Sequence, residues 1–141
     1  TADGLFYVED VQHLRGSPRQ VEQTITQTAA VDGKQVRIRG EQEPGASGKA
    51  LAEYYVRLLV GYDVRFAPAT GPKEVRAAPV AAQAEAGNVK LVRGPWNAAF
   101  LDEVCEFPHG AHDDQVDALS GAFGELQGPR TLRTREKPAG L

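Results

Sequence analysis

At 141 residues, with 41% hydrophobic and 25% charged side chains, the chain has the length and composition of one soluble globular domain with a real core. No apolar run approaches the ~20 residues of a membrane span, and no charged-then-apolar N-terminal stretch argues for export. A single cysteine, Cys105, excludes an internal disulfide framework, fits a reducing cytosol and reads as a core filler.

The formal net charge of −3 does not advertise a nucleic-acid binder. Its distribution says more: from Gly128 onward Arg130, Arg133, Arg135 and Lys137 face only Glu136, a tail of +3 on a body of −6. An acidic body with a basic tail is compatible with DNA contact, and equally with a solvated tail.

Leu5–Val11 has strand composition after an Asp3-Gly4 turn signal, so it reads as the second arm of a hairpin whose first arm lies upstream. Ser17-Pro18-Arg19-Gln20 is a capping box with Pro at the first helical position. Val21, Ile25 and Ala29 then give a helix with one buried face, closed by Asp32-Gly33. Gln35–Arg39 alternates as a short strand, which the run Gly40-Glu41-Gln42-Glu43-Pro44-Gly45 is expected to end. Ser47 is the expected cap of a second helix with Leu51, Tyr55, Leu58 and Leu59 on one face. Asp63–Ala67 is another strand, Pro68 to Pro72 a loop, and Pro79 to Ala86 a small-residue helix. Asn88–Val92 is a further strand. Pro95-Trp96-Asn97 leads a helix carrying Phe100, Val104 and Phe107. Asp113 to Leu126 forms the last helix, and the residues from 127 on a disordered tail. The alternation predicts α/β layering with at least two parallel strands.

Two acidic clusters stand out. Glu41 and Glu43 follow a strand, and the carboxyl ends of parallel strands are where α/β sheets bind ligands; a solvated turn accounts for them as well. Asp113, Asp114 and Asp117 sit at a helix start, where i, i+3 and i, i+4 spacings crowd them into one sector. Capping and the helix dipole account for one or two acids there. A third carboxylate adds repulsion that a hard divalent ion, Mg²⁺ or Mn²⁺, relieves through oxygen ligands. Together the clusters point to two-metal phosphodiester hydrolysis. His112 stands beside them as a possible assistant or a plain surface residue. The three histidines make no zinc spacing. Gly45-Ala46-Ser47-Gly48-Lys49-Ala50 resembles a phosphate-binding loop. Yet GxxxxGK[ST] fails at Glu43 and Ala50, so ATP binding is rejected.

The segments GEQEPGASGKAL, GPKEVRAAPVAAQAEAGNVKLVRGPWNAAFLDEV and FPHGAHDDQVDALSGAF, preceded by VEDVQHLRGSPRQVEQTI, resemble the C-terminal nuclease domain of the large terminase subunit of tailed bacteriophages. The resemblance spans about residues 5 to 126 and is most specific in HDDQVDA. It implies an RNase H-like α/β fold, a mixed sheet flanked by helices. It also implies metal-dependent endonuclease cleavage of concatemeric double-stranded DNA during genome packaging in the host cytoplasm, with two Mg²⁺ or Mn²⁺ ions. The motor ATPase domain, the small terminase subunit and the portal are the implied partners. The family's middle acid falls on Glu41, with Glu43 as second choice. Its late acid falls on Asp114, with Asp113 and Asp117 as neighbours able to share an ion. Lys73 and Arg76 match a basic pair that would face DNA phosphate. The family's first catalytic Asp lies on a central first strand, and neither Asp3 nor Asp10 matches it. The chain is therefore expected to lack that strand and to be inactive by itself. In that case Leu5–Val11 and Gln35–Arg39 pair directly or another chain fills the gap. A DNA-binding or motor-docking module, and a resolvase- or transposase-like nuclease, are the competing readings.

Overall fold

Apolar residues alternating in short β-branched runs, separated by helix-period segments, produce a strand–helix succession that the computed structural model describes over residues 1–128. The elements are β1 (Phe6–Val8), α1 (Pro18–Asp32), β2 (Arg37–Gln42), α2 (Ala46–Leu58), β3 (Asp63–Pro68), α3 (Lys73–Glu85), β4 (Val89–Leu91), α4 (Asn97–Glu106) and α5 (Asp114–Gln127). β1 pairs with β4 and β2 with β3, both in parallel, as two two-stranded sheets. β1 is thus shorter than expected and has β4 as a parallel partner, while the hairpin arm expected upstream of Thr1 lies outside the described residues. β1 does not pair with β2. One flank of β2 instead borders an open groove of about 430 Å³ against Val21, Ile25 and Ala29 of α1. Among the described residues no helix is long and apolar enough to cross a membrane. Arg130, Arg133, Arg135 and Lys137, with the disorder expected there, lie outside the described residues.

The capping box forms as read: Ser17 N donates to Gln20 Oε1 at 2.8 Å and Gln20 N to Ser17 Oγ at 3.4 Å. β2 continues through Gly40 instead of stopping there. Gly40 stands opposite Phe66 in the register, and a Cβ on it would lie 2.2 Å from that ring. The glycine is a packing requirement of the βαβ unit, not a strand breaker. Phe66 in turn stacks on Tyr55 of α2 at 5.9 Å.

α2 begins two residues earlier than a Ser47 cap predicts, with Gly45 at the cap position. Its buried residues are Gly48 and Ala52, with Leu59 just beyond, while Leu51 is 51% exposed. Gly48 is where α2 meets the end of β2: a Cβ there would stand 2.1 Å from the Glu43 carbonyl oxygen. Neither backbone can yield cheaply, so Gly48→Ala is expected to cost about 1–3 kcal/mol. Urea unfolding measures this, and a loss below about 0.5 kcal/mol would show that the strand end gives way freely.

α3 starts at Lys73, six residues before the expected Pro79, which lies inside the helix. An interior proline removes one backbone hydrogen bond and usually costs ~3 kcal/mol. Burial of Ala77 and Val80, on a helix that packs most extensively against α5, offsets that cost. Cys105 is exposed, contrary to the core-filler expectation. α4 buries Phe100 and Glu103, and two steps past Glu103 turns Cys105 about 200° away from that face. α5 ties the two sheets together. Phe123 is buried and its ring meets Phe6 of β1 at 4.8 Å, while Glu125 reaches Arg39 of β2 at 3.0 Å.

Candidate functional site

Residues 37, 39 and 41 of β2 and 63, 65 and 67 of β3 share one face of their sheet, because strand side chains alternate. That face looks onto an open cavity of about 970 Å³ whose other wall is α5. Glu41, Arg76, Asp114 and Asp117 all line it. The strand-end acid and the helix-start acids therefore meet on the same side of the molecule.

Arg76 is the joint. Its Nη1 donates to Glu41 Oε2 at 3.1 Å and its Nη2 to Asp117 Oδ1 at 3.3 Å, so one guanidinium bridges the tip of β2 to the first turn of α5. Lys73, one turn away on α3, donates from Nζ to Asp113 Oδ1 at 2.7 Å and lies 2.8 Å from Asp117 Oδ2. The hydrogen bond to Asp113, and then that to Asp117, hold the Lys73 ammonium well above its ordinary pKa. Two basic residues at a helix N-terminus oppose the dipole, and the acids of α5 answer them across the interface. Asp117, 17% exposed in its side chain, touches both cations and is the centre of the network.

Each residue expected in the site has a definite place. Glu41 is the penultimate residue of β2, beside Arg76. Glu43 lies beyond the strand end, exposed and outside the cavity lining. Asp113 and Asp117 are engaged by Lys73; Asp114 lines the cavity, exposed and without an ion-pair partner among the described residues. Lys73, half-exposed, and Arg76 are both ion-paired, since the site's own carboxylates occupy them. His112 turns away: its Nε2 faces Arg15 Nη2 at 3.2 Å. An arginine can only donate, so the imidazole nitrogen accepts in this hydrogen bond. Asp3 bonds to Thr1 and Asp10 to Gln12, both outside the cavity.

A family model for the terminase RNaseH-like domain matches residues 1–126. The chain belongs to that family. No curated protein and no solved structure matches it. The RNase H-like α/β reading and the resemblance to the terminase nuclease domain therefore stand, and the cavity belongs to a nuclease-type domain of a terminase.

Two features of this terminase domain escaped the sequence reading. Arg65 of β3 lines the cavity, exposed and with no ion-pair partner among the described residues. Its alternation with Val64 and Phe66 was legible; its register opposite Arg39 was not. The second is the buried Glu103. It accepts from Gln115 N at 2.6 Å and Val116 N at 3.3 Å, and so caps α5 from a neighbouring helix. The one available signal was an acid three residues after Phe100 on the face of α4 that should be apolar.

That cap bears on the acidic cluster. Capping was the local explanation for Asp113, Asp114 and Asp117, yet Asp113 makes no side-chain cap bond although it holds the cap position. Asp114 and Asp117 are left for the cavity, and Asp113 for Lys73. Among the described residues no three His, Cys, Asp or Glu side chains stand close enough to hold a metal ion. They gather instead in pairs around cations, Asp113 and Asp117 around an ammonium, Glu41 and Asp117 around a guanidinium. An all-oxygen donor set already bracketing positive charge suits a hard divalent ion.

Proposed function

We propose that this terminase domain cuts concatemeric double-stranded viral DNA during genome packaging, as a Mg²⁺- or Mn²⁺-dependent endonuclease. The observation that carries the reading is the convergence of Glu41 and Asp117 on the single guanidinium of Arg76. Glu41, Asp113, Asp114 and Asp117 would hold the ions, and Glu41 and Asp114 are the acids assigned to catalysis. Divalent ions at such a centre activate water and stabilise the leaving oxygen. The chain's own part is to hold carboxylates from β2 and α5 in one cavity. With their carboxylates engaged by such ions, Lys73 and Arg76 would be free to face phosphate, where basic groups position the duplex without reading its sequence. In the packaging motor the domain would work beside the motor ATPase domain, the small terminase subunit and the portal.

Arg65, without an ion-pair partner among the described residues, is already placed to meet phosphate. Arg65→Ala is expected to weaken duplex binding alike for all sequences and to lower the slope of log K against log salt by about one. Fluorescence anisotropy at several KCl concentrations reads this, and an unchanged slope removes Arg65 from the interface.

The occupation of the acids by Lys73 and Arg76 favours a second reading, a domain that docks on DNA or on the motor without cutting. Calorimetric titration with Mn²⁺ separates the two. Saturable binding, with a rise in melting temperature that follows Mn²⁺ concentration, supports the endonuclease. No heat and no rise leaves only the docking role.

A further inference from the structure

We infer that Glu103 is a positioning residue for the acidic turn of α5, an inference that rests on the endonuclease reading. Glu103 is only 8% exposed and has no basic partner among the described residues. A buried carboxylate without a cation is costly, so its compensation identifies its role. One oxygen, Oε1, takes the backbone N–H groups of Gln115 and Val116; the other, Oε2, takes Gln115 Nε2 at 2.6 Å. The two N–H groups belong to the first turn of α5 and have no partner within the helix; there the dipole favours negative charge and charge-assisted bonds are strong.

An aspartate already stands at the cap position of α5, and aspartate is among the best residues there. A buried glutamate on another helix is an expensive substitute unless Asp113 is needed elsewhere. Its carboxylate is indeed elsewhere, on Lys73. The clamp also acts from the opposite side to the acids. Gln115 is two steps before Asp117, about 200° around the helix, so its side chain meets α4 while Asp117 meets α3. Glu103 thus fixes the backbone between Asp114 and Asp117, releases Asp113 from capping, and sets the direction of all three acids. It touches no substrate.

The test is Mn²⁺ titration into the 141-residue chain, well below its melting temperature, with circular dichroism on each variant to establish the folded fraction. Glu103→Ala removes the clamp, and Glu103→Asp keeps the charge but falls short of the two N–H groups. Both are expected to lose about tenfold or more in Mn²⁺ affinity per folded molecule, the scale on which supporting contacts tune metal sites. Glu103→Gln keeps an oxygen for the backbone donors, with the Gln115 amide rotated to match, and is expected to stay within about threefold. A residue that only stabilised the fold would lower the melting temperature and leave that affinity alone. If Glu103→Ala does not fold, the contrast between the Asp and Gln variants decides. Wild-type affinity in folded Glu103→Asp, or a Gln variant as weak as the Asp variant, overturns the positioning role while leaving the endonuclease reading intact. Failure of the unaltered chain to bind Mn²⁺ overturns both.

Discussion

Asp117→Asn is expected to lower Mn²⁺ affinity by about 100-fold or more, because loss of a ligand should exceed the 10–100-fold typical of supporting residues. Among the described residues, Asp117 alone touches both Lys73 and Arg76. It is also the least exposed of the paired site acids, at 17% against 37% for Asp113 and 47% for Glu41. Asparagine is nearly isosteric and still offers one carbonyl oxygen, so packing survives while charge is lost. Removing that charge leaves Lys73 with Asp113 and Arg76 with Glu41 as their remaining partners, so stability is expected to fall by about 1–2 kcal/mol. Calorimetry and a thermal melt together make the distinction. Metal affinity per folded molecule should collapse, far beyond what a modest fall in melting temperature accounts for. An unchanged Mn²⁺ affinity would remove Asp117 from the metal site and leave Asp114 and Glu41 as the acids to examine.

Phe123→Ala is expected to cost about 3–5 kcal/mol, the usual range for deleting a buried phenyl ring. Phe123 is 6% exposed and packs on Phe6 at 4.8 Å, which makes it the aromatic contact between α5 and the β1–β4 sheet. The rest of the buried core is largely alanine and valine, with Leu59 and Phe100 as its other large side chains, so little stands ready to refill the space. Domain stabilities run to about 5–15 kcal/mol, so this one change takes a large share. Urea unfolding at constant m-value measures it. A cost below about 1 kcal/mol would mean that the site collapses around the missing ring and that α5 is held mainly from its other side. In the expected case Mn²⁺ binding also weakens, because the helix that presents Asp113, Asp114 and Asp117 loses an anchor.

The legible features are those whose causes lie within a few residues. Ser17 and Gln20 satisfy each other's backbone groups, so the start of α1 could be read directly. The β2–α2–β3 succession follows from periodicity, and parallel pairing from the strand–helix alternation. The crowding of Asp113, Asp114 and Asp117 follows from helical spacing. Pro79 misled, because the packing that tolerates it lies on α5 and not in its own segment. Leu51 and Cys105 misled similarly: hydrophobic character proposes a buried face, but neighbouring elements choose it.

The letters of the chain determined its alternating α/β class, its likeness to the terminase nuclease domain, and the candidate acids. Spacing and side-chain chemistry are local properties. What only the folded chain decided is what those acids do. Glu41 and Asp117 are 76 positions apart, and the crossing of β2, α3 and α5 brings them onto one guanidinium. Glu103 takes over the capping that the aspartates could have done for themselves. The physical reason is common to both: charge is compensated through space, so the partner of a buried or crowded carboxylate is fixed by which elements pack together.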